Sequence, residues 1–226
     1  YTGQVQRMPC SVRDHVFADL NWDQGRKITS GLNSSFAEIW WFYPSLASME
    51  NDKYVVYNYE QQVWYVGSLA RTAWIDRGIE QYPVSVGTDH YVYDHENGFD
   101  DGSTVPASAI PAHIESSQFD IGDGDQFTFI QRLIPDITFR NSTNSSPSAS
   151  FTLQTRDGPG SPYTQNNPRT ITQTEAETTT TVEQFTDLVH VRLRGRSFAL
   201  KVSSSDEATG WRLGSPRVDV RPDGRR

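Results

Sequence analysis

The segment from Glu38 to Asp76, EIWWFYPSLASMENDKYVVYNYEQQVWYVGSLARTAWID, leaves this chain few folds to choose from. It carries four of the six tryptophans, and its aromatic runs are broken by short polar stretches. Glu38–Tyr43 ends at Pro44, Lys53–Tyr59 is a run of Tyr and Val, and Gln62–Gly67 closes on glycine. Val, Tyr, Trp and Phe suit a pleated, half-buried surface, so each run predicts a strand. Asn58–Gln62 is a short polar link that suits an antiparallel return, and Arg71–Asp76 adds one more short apolar segment. The pattern is an up-and-down β meander. Because Trp40 and Trp41 are adjacent on one strand, their side chains must point to opposite faces. Both faces of that strand therefore need cover, from a second sheet or from an interface. Trp40, Trp41, Trp64 and Trp74 are expected to fill the core or the joins between sheets, each indole N–H finding an acceptor.

Composition supports a core built on rings. Only 35% of the 226 residues are hydrophobic, and 12% are aromatic. The net charge of −8 does not attract nucleic acid by counterion release. It suits a soluble particle, or a wall that nucleic acid passes without sticking. Cys10, the lone cysteine, rules out an internal disulfide and reads as a structural thiol. No apolar stretch reaches the length of a membrane-spanning helix. The chain opens on Tyr1 without a methionine or a signal-peptide pattern, so a piece of a longer protein is expected.

Beyond the meander the pattern stays β. Val12–Leu20, with Val12, Val16, Phe17 and Leu20, also fits a short amphipathic helix. Val84–Asp94 alternates as a single strand, followed by a loop at His95–Ser103. Extended segments are expected at Ala109–Ser116, Gln126–Phe139 and Ser150–Thr155, with Pro135 marking an edge, bulge or turn in the second. Arg156–Pro168 reads as a loop, and Thr170–Thr181 as an extended strand or arm. In Leu188–Ser203 the apolar positions switch parity, from Val189, Val191 and Leu193 to Phe198, Leu200 and Val202. That slip places a hairpin turn or a bulge at Gly195. The segment Trp211–Val220 closes the pattern, with Gly210–Gly214 leading to a short strand in which Val218 and Val220 alternate with charges. The expected fold is all-β in two regions. Residues 1–105 form an aromatic antiparallel meander, the end of a β-propeller being one form of it. Residues 106–226 form an antiparallel β-sandwich or small barrel.

No segment assembles a catalytic set. Asp120–Asp125 (DIGDGD) does not follow the ligand offsets of a calcium loop and reads as an Asp/Gly turn. Asp89, His90, Asp94, His95 and Glu96 crowd metal-ligand types together. A strand would spread them over about 20 Å, so a polar strand end is expected there. Asp52, Asp100, Asp101 and Asp157 sit in loops as solvated acids, whereas glycoside cleavage needs two carboxyls at a set separation. Asn33, Asn141 and Asn144 begin glycosylation-type triplets, which are frequent in Ser/Asn-rich loops and do not argue for secretion. No serine-nucleophile elbow, phosphate loop or zincin motif occurs. The expectation is no catalytic residue, no cofactor and no metal. Basic residues gather late, at Arg192, Arg194, Arg196, Arg212, Arg217, Arg221, Arg225 and Arg226. Such a stripe fits phosphate, an acidic neighbouring subunit or a solvated face.

The strings EIWWFYP from Glu38, YVVYNY from Tyr54, RTAWID from Arg71, DIGDGD from Asp120 and GWRLG from Gly210, with the ending Pro222–Arg226, resemble one family. It is the C-terminal part of the tail nozzle proteins of short-tailed bacteriophages, also called tail hub or tail tubular protein B. The resemblance covers nearly all of the chain, with EIWWFYP and RTAWID its more specific parts. It implies a non-enzymatic virion protein assembled in the host cytoplasm and self-associated in a ring, commonly six subunits. Such a ring sits below the portal and its adaptor ring, carries fibres or a needle, and encloses the channel that holds and releases the genome. DNA would pass without sequence-specific binding. In that setting Trp40, Trp41, Trp64, Trp74, Arg192, Arg194, Arg196 and Trp211 are candidate core or assembly residues. Two other classes remain open at this point: a propeller-type glycosidase or depolymerase, and a carbohydrate- or receptor-binding module that contacts the host surface.

Overall fold

A computed structural model describes residues 3–5, 7–158 and 177–224. Among the described residues the fold is almost entirely β, with antiparallel pairing and no sheet closed into a barrel. The chain divides into two compact units after Asn97. Of the loop expected at His95–Ser103, His95 to Asn97 fall in the first unit and Gly98 onward in the second. There Phe99 packs beneath Gly210, and the Asp100 carboxylate accepts from the Ala208 N–H at 2.7 Å.

The first unit begins with helix α1 (Arg13–Asp19) and a 3-10 turn at Trp22–Lys27. It continues with β1 (Thr29–Asn33), β2 (Glu38–Tyr43), β3 (Lys53–Asn58) and β4 (Val63–Ser68), which pair in sequence order as one meander. β5 (Arg71–Ile75), β6 (Val84–Gly87) and β7 (Val92–Asp94) form a second small sheet. The single strand expected over Val84–Asp94 is a hairpin instead. His90 takes a left-handed conformation with φ of 72°, and the Asp89 carboxylate accepts from the Tyr91 N–H, so the chain reverses within that turn. Val86 then pairs with Val92.

The meander has two dressed faces. Glu38, Trp40 and Phe42 of β2 share one, with Tyr54 and Val56 of β3 and Tyr65 of β4. Phe42 and Val56 are fully buried there. Trp41 and Tyr43 lie on the other, which packs with Val55, Trp64, Leu20 and the helix residues Val12 and Val16.

The second unit holds β8 (Asp100–Asp101), β9 (Ser108–Ala109), β10 (Ala112–Glu115), β11 (Phe119–Asp120), β12 (Thr128–Ile134) and β13 (Ile137–Thr138). These are followed by β14 (Ser148–Arg156), β15 (Glu177–Glu183), β16 (Val189–Gly195), β17 (Ser197–Ser204), β18 (Arg212–Leu213) and β19 (Arg217–Pro222). One sheet runs β10-β17-β14-β15, with β11 also on β17, and the other runs β16-β12-β19. Their inner faces share one core of Ile130, Leu133, Phe151, Leu153, Val182, Val189, Val191, Leu193, Phe198 and Val202. This is a sandwich packed by aliphatic residues and phenylalanine. Pro135 falls just past β12, where a missing N–H costs no ladder bond. Of the threonine-rich stretch, Glu177–Glu183 is a strand on the edge of its sheet, while residues 159–176 lie outside the described residues, as do Arg225 and Arg226.

Gly195 is neither a hairpin nor a bulge. β16 pairs with β12, whereas β17 pairs with β14, so the chain changes sheet between them. An inward side chain of one layer must point the opposite way in the facing layer, and that accounts for the parity switch. A Cβ on Gly195 would lie 2.7 Å from the Thr155 Cβ, so the crossing strand has room only for hydrogen there.

Candidate functional site

Between the meander and the β5–β7 sheet, the aromatic strings meet. The Trp40 and Trp74 rings stack at 5.5 Å with planes 10° apart, and Tyr54 closes on Trp40 at 4.6 Å. The Trp74 indole N–H donates to the Leu32 carbonyl at 2.9 Å. Trp74 lies directly over Gly31, where an added Cβ would come within 2.3 Å of the ring. A glycine on β1 is thus the condition for the two sheets to close on a tryptophan.

Polar handles line the same interface. Glu38 accepts from the Trp40 indole N–H at 3.0 Å and from the Tyr65 hydroxyl. Burial, and then Glu38 itself, pushes the Tyr65 and Tyr54 hydroxyls up. Asn33, fully buried, donates its side-chain amide to Glu96 at 3.1 Å while its Oδ1 has no hydrogen-bond partner among the described residues. Glu96 as a residue is exposed, but its carboxyl end reaches inward. That burial raises its pKa, and the nearby Glu38 charge raises it further, against the lowering effect of the Asn33 bond.

His95 meets Trp74 at 4.7 Å with the ring planes tilted by 39°. Its Nε2 accepts from Arg71 Nε at 3.1 Å and sits 2.6 Å from Ser85 Oγ. Arg71 can only donate, so Nε2 carries no proton and the Ser85 hydroxyl donates to it as well. Burial, then the Arg71 charge, lowers the pKa of His95 to about 4. Ser85 is itself buried and already spends its proton on His95. The pair is a satisfied interior contact rather than an exposed nucleophile with its base.

On the opposite face, Trp41 stacks on Trp64 at 5.9 Å, and Tyr57 meets Trp64 at 4.6 Å. The Trp64 indole N–H donates to the Pro9 carbonyl at 2.9 Å, tying down the segment that leads into α1. The Asp19 carboxylate, in the last turn of that helix, takes the Lys53 ammonium at 2.8 Å and the Tyr43 hydroxyl at 3.4 Å. Burial, followed by the Asp19 charge, pushes Tyr43 up to about 12. Outside this cluster, Phe17 and Trp22 stack on each other at 5.7 Å in the open, 51% and 68% exposed.

The arginine stripe divides. Arg192 and Arg194 point outward from β16, but Arg196 sits at the sheet crossing. Arg194 lies 3.8 Å from the centre of the Phe127 ring and pairs with Asp223, and Arg196 lies 4.7 Å from the same ring. Arg132, outside the late basic stripe, joins the outer face and pairs with Asp219 at 2.7 Å. A register shift between Ile130 and Arg132 turns it outward, and a strict two-residue period cannot show that. Arg217 and Arg221 of β19 share this face. Trp211 is elsewhere in the sandwich, on a groove of about 620 Å3 lined also by Phe99, Arg140 and Arg212.

The acidic segments do not converge. Asp120 accepts from the Ser197 hydroxyl, while Asp89 is held below the usual carboxylate range by the Tyr93 hydroxyl and the Tyr91 N–H. Among the described residues, no three His, Cys, Asp or Glu side chains are placed to share a metal ion. No family model matches this chain, and no curated protein matches it.

Proposed function

We propose that this chain is a structural subunit of a short-tailed phage tail nozzle, a ring around the DNA channel that also mounts other tail parts. One observation carries the reading. The two strings on which the resemblance most depends, EIWWFYP and RTAWID, are one structural feature, because Trp40 of the first stacks on Trp74 of the second. Aromatic joins of this kind stiffen a sheet pair without opening a cleft. The tyrosines and carboxylates around them are spent on one another rather than held ready for a substrate. The acidic balance of the chain fits a part that lets DNA slide past.

Electron microscopy of the purified chain at high concentration tests this. Closed rings with rotational symmetry are expected, and single particles of one copy at every concentration would overturn it. A second reading has one observation in its favour. The exposed Phe17–Trp22 stack offers a ring face of the sort that holds a sugar on a host surface. A glycan array decides it: binding that disappears in Trp22→Ala supports a sugar site, and a blank array removes it.

A further inference from the structure

The outward face of the β16-β12-β19 sheet is cationic in an acidic protein. Across it lie Arg192 and Arg194 on β16, Arg132 on β12, and Arg217 and Arg221 on β19, with His190 beside them. Five arginines face two aspartates, Asp219 and Asp223, and these are engaged by Arg132 and Arg194. Arg192, Arg217 and Arg221 are exposed and form no ion pair among the described residues. Isolated cations on a surface are ordinary. Three arginines without an ion pair among the described residues lie on the two outer strands of one sheet, beside two already seated in pairs, with Phe129 and Ile134 of β12 between them, so the sheet fixes their spacing.

We infer that this face docks on the acidic first unit of a second copy of the chain. The inference rests on the ring reading above and names its contact. Charge complementarity selects the occupant. Up to Asn97 the chain has seven basic against twelve acidic side chains. Exposed acids such as Glu80, Asp89 and Asp94 stand on the β5–β7 sheet and its loops. Every copy therefore carries both the cationic face and an acidic counterpart at equal concentration. Two different patches meeting head to tail make a heterologous contact, the kind that closes into a ring when the rotation allows. A phosphate backbone fits less well. The −8 charge of the chain opposes a polyanion, and Asp219 and Asp223 stand within the face itself.

Sedimentation velocity of the full chain reads the contact. The wild type is expected to self-associate at about 50 mM NaCl and to weaken at least about tenfold at about 500 mM, as exposed charges are screened. The triple variant Arg192→Glu/Arg217→Glu/Arg221→Glu should lose about 100-fold or more in association, and the corresponding Arg→Gln variant should fall between. All three positions are exposed, so unchanged circular dichroism melts should accompany both variants. If the Glu variant melts early, the Gln variant decides. Mixing the Glu triple variant with Glu80→Lys/Asp94→Lys should restore hetero-association. Association of the triple variant equal to wild type overturns the inference and leaves the ring reading standing. The same result together with lost binding to random-sequence duplex DNA would reassign the face to phosphate. A wild type that stays a single copy at low salt removes the ring reading, and the contact with it.

Discussion

The two units solve the problem of a β core in opposite ways. The first buries rings that carry polar atoms, and around them Glu38 bonds Trp40 and Tyr65, the Glu96 carboxyl bonds Asn33, and His95 bonds Arg71 and Ser85. The second buries Ile, Leu, Val and Phe and puts its charges outside, where Arg192, Arg217 and Arg221 remain available. An aliphatic sandwich gains its stability from area and close packing, and pH has little hold on it. An aromatic interior with polar handles depends on each bond being made and on each group keeping its charge state. The first unit should therefore be the acid-sensitive one and the second the one most damaged by steric change.

The largest expected effect breaks the second unit. Gly195→Val drives a branched side chain into Thr155 at the sheet crossing and should cost about 3 kcal/mol or prevent folding, read by denaturant melts. Trp74→Ala should strike the first unit alone. It removes the stack on Trp40 and the cover over Gly31, at a cost of about 3 kcal/mol since the ring is only partly buried. Hydrogen exchange should then show early opening in β1–β5 with protection in β14 and β17 unchanged.

The next effect sharpens the comparison through pH. The unfolded His95 imidazole takes up its proton near pH 6.5, whereas the folded one holds out to about 4. Its contribution is complete above pH 6.5 and is lost as pH falls towards 4, a loss of about 2 kcal/mol after allowing for partial exposure. His95→Gln should flatten the acid side of the stability profile for the first unit and leave the second unit untouched. Glu96 runs the other way. Its raised pKa makes the folded state the stronger proton binder, so its effect is favourable at low pH and declines as pH rises past the ordinary carboxylate range. Glu96→Gln should therefore raise stability slightly at neutral pH, the smallest of these changes, seen as a higher thermal midpoint.

Much of this contrast was legible in the residues. β2, β3 and β4 fall within a residue or so of their expected bounds because aromatic and β-branched runs between turn residues have few other uses. Opposite facing of Trp40 and Trp41 follows from strand geometry alone, and their partners are Trp74 on one side and Trp64 on the other. What stayed hidden was pairing at long range. A parity slip looks the same whether the chain turns, bulges or changes sheet, and only the separate partners of β16 and β17 tell these apart. The hairpin at His90 leaves a slip of the same kind, from Val84 and Val86 to Tyr91 and Tyr93, and again only the pairing of Val86 with Val92 identifies it as a turn. Glu38 and Glu96 lie far apart in sequence, so no local pattern could join them across two sheets. Arg132 was missed for the same reason, since its place beside Asp219 depends on a bulge and on a strand from the end of the chain.

Immunogold labelling tests the central claim most directly. An antibody raised against this chain would be applied to intact virus particles purified from the host culture. Gold at a single vertex, on the short tail beneath the head, is the predicted result. Gold spread over the capsid, or found only on soluble protein outside the particles, would contradict a nozzle subunit.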